Sequence, residues 1–359
     1  MNYRQRQENL MRAMSEKKLD ALVVTHMVNI NYLCGFTGSS GALVARAPHW
    51  SFFTDGRYTA QAHQEVQGAR VAIVKGPPLV GAAIAIGKAV RRAAVGIEAD
   101  HLTVAGRRAF AASLPPRIRI RDTAGMVERL RMIKEPEEIE RIRAAVLAGA
   151  ALLKPALAAI APGVSETGVA AEIEYAARQA GADGMSFETI VAAGPRSALP
   201  HGRASSQPIP RRGFVVMDFG VILAGYCSDM TRTVHVGQPP AAMRSMYEAV
   251  LEAQLAGIQA VRAGVDAGSV DRAARRTLRA VGMARFFTHS TGHGVGLEIH
   301  EAPRLARDGT DVLQAGMVIT IEPGVYLPGK GGVRIEDMLV VTERGAQVLT
   351  PAPKELLVI

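Results

Sequence analysis

Four acids and one histidine in the carboxyl-terminal part of the sequence constrain the fold more than any other feature. They lie in segments with strand or tight-turn patterns: Asp218, Asp229, His293, Glu322 and Glu336. Burial and mutual repulsion both disfavour the charged form of a carboxylate, so four of them cannot share an apolar interior unless a cation offsets their charge. The sequence therefore predicts a chain that folds around a divalent metal centre.

The spacing of the first two acids predicts a hairpin that brings them together. Asp218 ends the apolar run 214–217, and Asp229 follows the turn-like segment 220–225. If the hairpin is centred just after Leu223, the two acids lie directly opposite each other with Cβ atoms ~5 Å apart. Both carboxylates would then reach the same ion or pair of ions.

Glu322 and Glu336 repeat this arrangement further along the chain. Glu322 closes the strand-like run 317–321, and Glu336 lies in a second such run. The segment between the two runs, residues 328–332, contains one proline and three glycines and is a strong turn signal. A hairpin centred on Gly329 places these two acids face to face as well.

The histidine, His293, lies in the segment Gly292-His293-Gly294-Val295-Gly296, whose glycines allow the backbone to approach a site closely. Taken singly, each acid is more often a turn or surface residue, and a lone histidine is more often a hydrogen-bonded structural residue. Two hairpins with opposed acids and a glycine-flanked histidine together favour the metal site over that alternative.

The order of these motifs resembles the pita-bread metallopeptidases, and within them the proline-specific branch, aminopeptidase P and prolidase. The motifs that carry the resemblance are Asp218 with Asp229, Gly-His-Gly-Val-Gly followed by His300-Glu301, Ile-Glu-Pro-Gly at Glu322, and Val-Arg-Ile-Glu-Asp at Glu336. A weaker motif at residues 31–38 and another at residues 353–357 extend the resemblance over nearly the whole chain.

The resemblance implies an α+β fold with two domains. A smaller α/β creatinase-like domain at residues 1–123 would precede a pita-bread catalytic domain with two pseudo-symmetric halves at residues 124–359. A length of 359 residues also exceeds the usual limit of one hydrophobic core. Within the second domain, Gly163-Val164-Ser165 and Gly264-Val265-Asp266 form a faint repeat, each before a predicted helix with a good cap.

The resemblance also implies how the metal is held. Asp218 would bind one ion, His293 and Glu322 would bind a second, and Asp229 and Glu336 would bridge the two. Two such ions lower the pKa of a bridging water and polarise the scissile carbonyl, so the implied nucleophile is a metal-bound hydroxide. Oxygen-rich ligation favours manganese, with cobalt, iron or zinc as alternatives.

Beyond the metal ligands, the catalytic residues implied are His201, His300, Glu322 and Arg334. His201 and His300 match histidines with which family members hold the substrate and stabilise the tetrahedral intermediate. Arg334 and Thr231 lie two positions from a ligand acid, hence on the same strand face, and are expected to hydrogen-bond to those carboxylates. The alternatives are an ordinary loop residue for His201 and a simple strand preference for Thr231.

The function expected is a dinuclear metal-dependent aminopeptidase that releases the amino-terminal residue from Xaa-Pro peptides. The first alternative is an Xaa-Pro dipeptidase, or prolidase, and the second is a catalytically inactive pita-bread binding module. Methionine aminopeptidases, which typically lack the extra amino-terminal domain, and creatinases, which lack the full metal set, are less favoured. The complete ligand set favours an active enzyme.

Partners and location follow from composition. The net charge of +9 is spread over scattered arginines without a long basic run, so nucleic acid is not expected. The apolar stretch 144–162 is interrupted by Lys154-Pro155, which predicts two helices of a soluble protein rather than a membrane span. Two cysteines in different domains and a polar start favour a cytoplasmic location. The resemblance alone implies a homodimer acting on small peptides with proline in the second position.

Overall fold

The computed structural model describes residues 1–90 and 92–359, which form two compact units, Met1–Arg131 and Met132–Ile359. The sequence placed the boundary after residue 123, whereas the structure divides the chain after Arg131. The short helix that ends there belongs to the first unit. Arg131 Nη1 donates to Asn29 Oδ1 at 2.8 Å, and Asn29 Nδ2 donates to Glu128 Oε1 at 2.5 Å.

The first unit is built on one mixed sheet within residues 1–90 and 92–131. Its strands are β1 (Ala21–Val24), β2 (Ala42–Ala45), β3 (Trp50–Thr54), β4 (Ala69–Ile73), β5 (Ala93–Glu98) and β6 (Ile118–Thr123). Its helices are α1 (Tyr3–Glu16), α2 (Met27–Cys34), α3 (Thr59–Glu65), α4 (Pro78–Ala89), α5 (Val104–Ala112) and α6 (Met126–Arg131), with a 3₁₀ turn at Gly56–Tyr58. Apolar residues of the strands, α4 and α5 form its core.

The strand order of this sheet is β4-β3-β2-β1-β5-β6. Strand β1 pairs antiparallel with β2 on one side and parallel with β5 on the other, and β5 pairs parallel with β6. All of β1 is buried, as expected for a central strand covered on both faces. The carboxyl ends of β1, β5 and β6 therefore lie side by side at one edge of the sheet.

The second unit contains the remaining helices and strands. Its helices are α7 (Pro136–Ala151), α8 (Leu153–Ala159), α9 (Glu166–Gln179), α10 (Ala241–Ala260) and α11 (Ala267–Ala280), with 3₁₀ turns at Gly194–Ala198 and Ala284–Phe286. Its strands are β7 (Gly184–Met185), β8 (Ile190–Ala193), β9 (Gly213–Phe219), β10 (Val221–Leu223), β11 (Tyr226–Cys227), β12 (Met230–Val236), β13 (Gly292–Gly294), β14 (Glu301–Leu305), β15 (Val318–Ile321), β16 (Gly324–Leu327), β17 (Gly331–Arg334), β18 (Asp337–Val341) and β19 (Ala346–Val348).

Two similar halves make up this unit. The helices α9 and α11 both have 14 residues, and each begins directly after a β-bridge, Ser165 with Pro208 in the first half and Asp266 with Val312 in the second. The faint Gly-Val-Ser and Gly-Val-Asp repeat of the sequence thus marks equivalent helix starts. Each half also contributes one acid-bearing hairpin, β9–β12 or β15–β18. The fold is the α+β arrangement that the sequence implied.

The apolar stretch near the start of the second unit forms two helices. Helix α7 ends at Ala151 and α8 begins at Leu153, with Pro155 in the first turn of α8, where its missing N–H is tolerated. The combined run Pro136–Ala159 is long and apolar enough to cross a membrane by length and composition alone. Leu153 and Ala156 are buried in the core of the unit, which is the ordinary place of such helices in a folded domain.

Candidate metal centre

The hairpin that carries Asp218 and Asp229 differs in register from the one expected. Asp218 pairs with Thr231 rather than with Asp229, because the hairpin turns at Ala224 and Gly225, which both have positive φ. The prediction of direct opposition was therefore wrong by two residues. Since side chains alternate with a period of two, a shift of two keeps them on the same face. Both carboxylates still line one cavity.

The second hairpin has the predicted register. Strands β15 and β18 and strands β16 and β17 pair in one continuous register centred on Gly329. Glu322 lies between β15 and β16, and Glu336 lies between β17 and β18, so the two acids occupy opposed positions. Backbone bonds then join the three ligand-bearing segments: Glu336 N donates to Thr231 O at 3.1 Å, and Glu322 N donates to Thr291 O at 2.7 Å.

The glycines beside His293 are required by close packing of the backbone. A Cβ atom on Gly292 would lie 2.0 Å from Thr320 O, and one on Gly294 would lie 2.3 Å from Ala302 O. The ring Nδ1 of His293 lies 3.0 Å from Gly294 O and so carries the proton. Burial lowers the pKa of His293 to about 4, so the imidazole is neutral at pH 7 and its Nε2 is available as a ligand.

The carboxylates lie close together: Asp218, Asp229 and Glu336 are buried, and Glu322 is half-buried. Burial, and then the charge of neighbouring carboxylates, raises the pKa of Asp229 and Glu322 well above their ordinary values and that of Glu336 to about 8. Asp229, His293 and Glu336 each offer a ligand atom within 4.8 Å of the others. His293 Nε2 lies 3.5 Å from Asp229 Oδ2 and 3.7 Å from Glu322 Oε1.

Two oxygens of this cluster have no donor among the described residues. Asp218 Oδ1 and Glu336 Oε1 are buried without a hydrogen-bond partner there. A buried acceptor without a donor costs about 1–3 kcal/mol, and more when it is charged. Carboxylate oxygens together with one neutral imidazole are ligands that suit manganese, iron, cobalt and zinc. The residues present therefore fit a divalent metal ion.

Arg334 and Thr231 bond to the candidate ligands. Arg334 Nη2 donates to Asp218 Oδ2 at 2.6 Å, and its Nε donates to Thr231 Oγ1 at 3.0 Å. Thr231 Oγ1 in turn donates to Glu336 Oε2 at 2.7 Å. Both residues thus reach a site carboxylate, as the sequence suggested, although Arg334 bonds to Asp218 rather than to the glutamate two positions away. These bonds fix the orientation of carboxylates on both hairpins.

All the metal ligands and catalytic residues named from the sequence line one cavity of about 690 Å³: His201, Asp218, Asp229, His293, His300, Glu322, Arg334 and Glu336. His201 and His300 are exposed in it, unlike the acids. The ring centroids of His300 and His293 lie 4.5 Å apart. Exposed imidazoles beside a buried acid cluster are placed to contact a bound substrate.

Two residues beside the acids were not found from the sequence. His289 lines the cavity, and its Nε2 lies 2.8 Å from Tyr326 Oη. Because Tyr326 Oη accepts from Arg334 Nη1 at 2.7 Å, its own proton points to His289. Burial lowers the pKa of His289 to about 3, which agrees with a neutral acceptor. The available signal was the clustering of three histidines, at 289, 293 and 300, in one segment.

Glu166 holds the loop that carries His201. Its side chain is fully buried. Its Oε1 accepts from Ala193 N at 2.8 Å, and its Oε2 accepts from Arg196 Nε at 2.9 Å and from Ser205 Oγ at 2.6 Å. These donors lie on both sides of His201 in the chain, so one carboxylate fixes both ends of the loop.

Replacement of this anchor gives a first testable prediction. Glu166→Gln is expected to lower the free energy of unfolding by about 2 kcal/mol, because the charge-assisted bonds are lost and the new amide N–H groups face other donors. Urea unfolding of the full chain measures the change. Glu172→Gln, at an exposed position on the same helix, is the control. Equal stability of the two variants would contradict the anchoring role.

Taken together, the two hairpins, the buried acids and the neutral imidazoles define a metal-dependent hydrolase. The pattern of metallopeptidase family M24 matches residues 140–343, and that of the creatinase/prolidase N-terminal domain matches residues 6–133. The chain therefore belongs to metallopeptidase family M24 and has an amino-terminal domain of the creatinase and prolidase type. The family and the α+β pita-bread fold expected from the sequence are confirmed.

Similar proteins include enzymes with two named specificities. An Xaa-Pro dipeptidase of Pyrococcus furiosus is 47% identical over 232 residues, which are 65% of this chain and 67% of that protein. The structure of an Xaa-Pro dipeptidase from Bacillus anthracis is 40% identical with a TM-score of 0.96 and covers 100% of both chains. An X-Pro aminopeptidase from Thermotoga maritima MSB8 is 34% identical with a TM-score of 0.89, covering 97% of this chain and 100% of that one. Family M24 enzymes use divalent metals, which agrees with the donor set of the cavity.

Proposed function

We propose that this protein is an Xaa-Pro dipeptidase that hydrolyses the bond before a carboxyl-terminal proline. The observation that carries the proposal is the pairing of the cavity arginines. Arg334 is bonded to Asp218, and Arg203 Nε pairs with Glu188 Oε2 at 2.8 Å. Arg304 is exposed in the cavity and has no ion-pair partner among residues 1–90 and 92–359.

Arg304 is well placed to bind the carboxylate of a short substrate. It lies on β14 directly across from His293 on β13, one strand away from the candidate metal ligands. A dipeptide carries its carboxylate on the proline itself, whereas a tripeptide carries it one residue, about 3.5 Å, further on. A planar guanidinium binds a carboxylate with two parallel hydrogen bonds. The exposed charge of Arg304 therefore favours the shorter substrate.

The remaining roles follow from the site. Asp218 would hold one metal ion, His293 and Glu322 a second, and Asp229 and Glu336 both. When bound, the ions would lower the pKa of a water and polarise the scissile carbonyl. His201 and His300 would donate to the carbonyl oxygen of the substrate, while Arg334 keeps Asp218 in place. The manganese pair, the homodimer and the cytoplasmic location inferred from the sequence are further parts of this proposal.

The second candidate is the aminopeptidase P activity that the sequence analysis favoured. A cavity of about 690 Å³ has room for a third residue, and the similarity to the Thermotoga maritima X-Pro aminopeptidase supports it. The relatives named Xaa-Pro dipeptidase and the exposed Arg304 support the dipeptidase more strongly. The order of the two candidates is therefore reversed.

Substrates that differ only at the carboxyl end separate the two candidates. Metal-stripped protein is reconstituted with manganese, cobalt or zinc, and kcat/KM is measured for an Xaa-Pro dipeptide, its carboxamide and an Xaa-Pro-Xaa tripeptide. A dipeptidase cleaves the free acid about 10–100-fold better than the amide, as expected for one charge-assisted contact. Faster cleavage of the tripeptide than of the dipeptide would establish the aminopeptidase instead.

Arg304→Gln gives a second prediction from the same assay. The variant is expected to lower kcat/KM for the dipeptide about 10–100-fold, to the value measured for the dipeptide amide. The value for the amide itself should not change, because only the free acid binds the guanidinium. Arg203→Gln is the matched control, since its charge is already offset by Glu188. An equal loss of kcat/KM for the free acid and for the amide would show that Arg304 does not bind the substrate carboxylate.

A further inference from the structure

The carboxyl ends of three parallel strands in the first unit bring together a second group of ligand-type side chains. His26 follows β1, His101 follows β5, and Glu128 lies in α6 just after β6. One ligand atom from each lies within 4.8 Å of the others, and all three residues are half-buried. This group belongs wholly to the first unit and is not used by the peptidase chemistry.

The position of the group in the fold is the usual position of a binding site. In open α/β sheets, ligands bind outside the carboxyl ends of the strands, at the point where the strand order reverses. Here the chain leaves β1 toward β2 on one side, and β5 continues to β6 on the other, so the reversal lies between β1 and β5. His26 and His101 follow these two strands.

The ligand atoms of His26, His101 and Glu128 are close enough together to reach one small cation. The rings of His26 and His101 stack with centroids 3.7 Å apart and planes 4° apart, and His101 Nε2 lies 2.8 Å from Glu128 Oε1. Two imidazoles, one carboxylate and a water form a common four-coordinate zinc site. Zinc bonds of ~2.0–2.1 Å place ligand atoms ~3.3 Å apart. Replacement of the shared proton by the ion therefore needs a small separation of His101 from Glu128. It also needs a tilt of His26 out of the stack, because the lone pairs of imidazole nitrogens lie in the ring plane.

Further bonds orient the candidate ligands. Asn29 Nδ2 donates to Glu128 Oε1 at 2.5 Å and to Glu98 Oε1 at 2.7 Å. The second oxygen of Glu98 accepts from His26 N at 2.9 Å. Although burial raises it, hydrogen bonds from Asn29 and His101 hold the pKa of Glu128 below its ordinary value, so this carboxylate is charged. Outer bonds of this kind fix ligand orientation in metal sites.

We propose that the amino-terminal unit binds one divalent transition-metal ion, of the zinc class, through His26, His101 and Glu128. Two neutral imidazoles and one carboxylate give this site a larger share of nitrogen ligands than the acid-rich centre of the peptidase unit has. The site therefore prefers zinc or cobalt over manganese. The competing arrangement is a stacked histidine pair that bonds to Glu128 and binds no ion.

The test uses the full-length chain with the peptidase ligands weakened by Asp229→Asn and Glu336→Gln. Metal-stripped protein is titrated with Co²⁺ and Zn²⁺, and binding is followed by calorimetry and by the visible absorption of bound Co²⁺. Adding His101→Phe, which retains an aromatic ring for the stack, is expected to remove one equivalent of Co²⁺ or to weaken its binding more than about 100-fold, beyond the usual cost of losing an outer contact. His63→Phe, on α3 of the same unit, is the control.

Two further measurements make the outcome decisive. Glu128→Gln keeps the shape of the side chain and decides the question if His101→Phe fails to fold. In the otherwise unaltered enzyme, His101→Phe should remove one equivalent of zinc by elemental analysis while Xaa-Pro hydrolysis is retained. Unchanged Co²⁺ binding in folded His101→Phe, or in Glu128→Gln when the first variant is unfolded, would overturn the proposal.

Discussion

Glu336→Gln is expected to lower kcat/KM for Xaa-Pro hydrolysis by at least about 10³-fold, which corresponds to about 4 kcal/mol of transition-state stabilisation. Glu336 Oε2 is held by Thr231, while its Oε1 is buried without a donor in the described part of the chain. The amide keeps the size of the side chain but removes the charge from the oxygen that is free to bind a cation. The loss should therefore fall on metal affinity and on turnover together.

Hydrolysis of an Xaa-Pro dipeptide at saturating manganese, with metal content measured on the same samples, tests this expectation. Glu343→Gln is a matched control, because this glutamate follows β18 on the same chain segment but is exposed. The variant should remain folded, since Gln retains an oxygen that accepts from Thr231. Full activity of Glu336→Gln with a normal metal content would rule out Glu336 as a ligand.

The acid cluster could be predicted because a register error of two residues does not move a side chain to the other face of a strand. The expected register of the first hairpin was wrong by two residues, yet Asp218 and Asp229 still share a face, since an even shift preserves the alternation of side chains. The second hairpin was predicted correctly because Gly329 lies in the middle of a short run of turn residues, which fixes the position of the turn. The first hairpin instead turns at Ala224, whose positive φ has no signal in the sequence.

Groups of residues that are brought together only by the tertiary structure could not be predicted from the sequence. His26, His101 and Glu128 are far apart in the chain, and only the strand order brings them together. No short motif in the sequence of the first domain therefore indicates this group. Helix α2 has only a weak helical signal in the sequence, since its asparagines and the following Gly-Phe-Thr-Gly segment are typical of a loop. The role of Tyr326 likewise could not be predicted, because it depends on hydrogen bonds to His289 and Arg334.

The metal-free protein is expected to lose stability as the pH rises from about 7 to 8. In the folded chain the pKa of Glu336 is raised to about 8, and those of Asp229 and Glu322 are raised as well, by burial and by mutual repulsion. In the unfolded chain these carboxyls titrate near 4. The folded state then binds more protons than the unfolded state over this window, so the free energy of unfolding falls by about 1.4 kcal/mol per pH unit for each such proton.

The window is chosen so that the histidines do not interfere. The pKa values of His289 and His293 are lowered to about 3 and about 4, so their contribution to stability rises with pH through the unfolded value near 6.5 and is largely complete above about pH 7. Urea unfolding in a chelating buffer, at steps between pH 7 and 8, measures the remaining slope. Glu336→Gln should make the slope shallower, and saturating manganese should stabilise the unaltered protein most at pH 8, where fewer protons compete for the carboxylates. A flat or rising curve for the metal-free protein would mean that these acids are not held together by the fold, and that the cluster needs no cation to offset it.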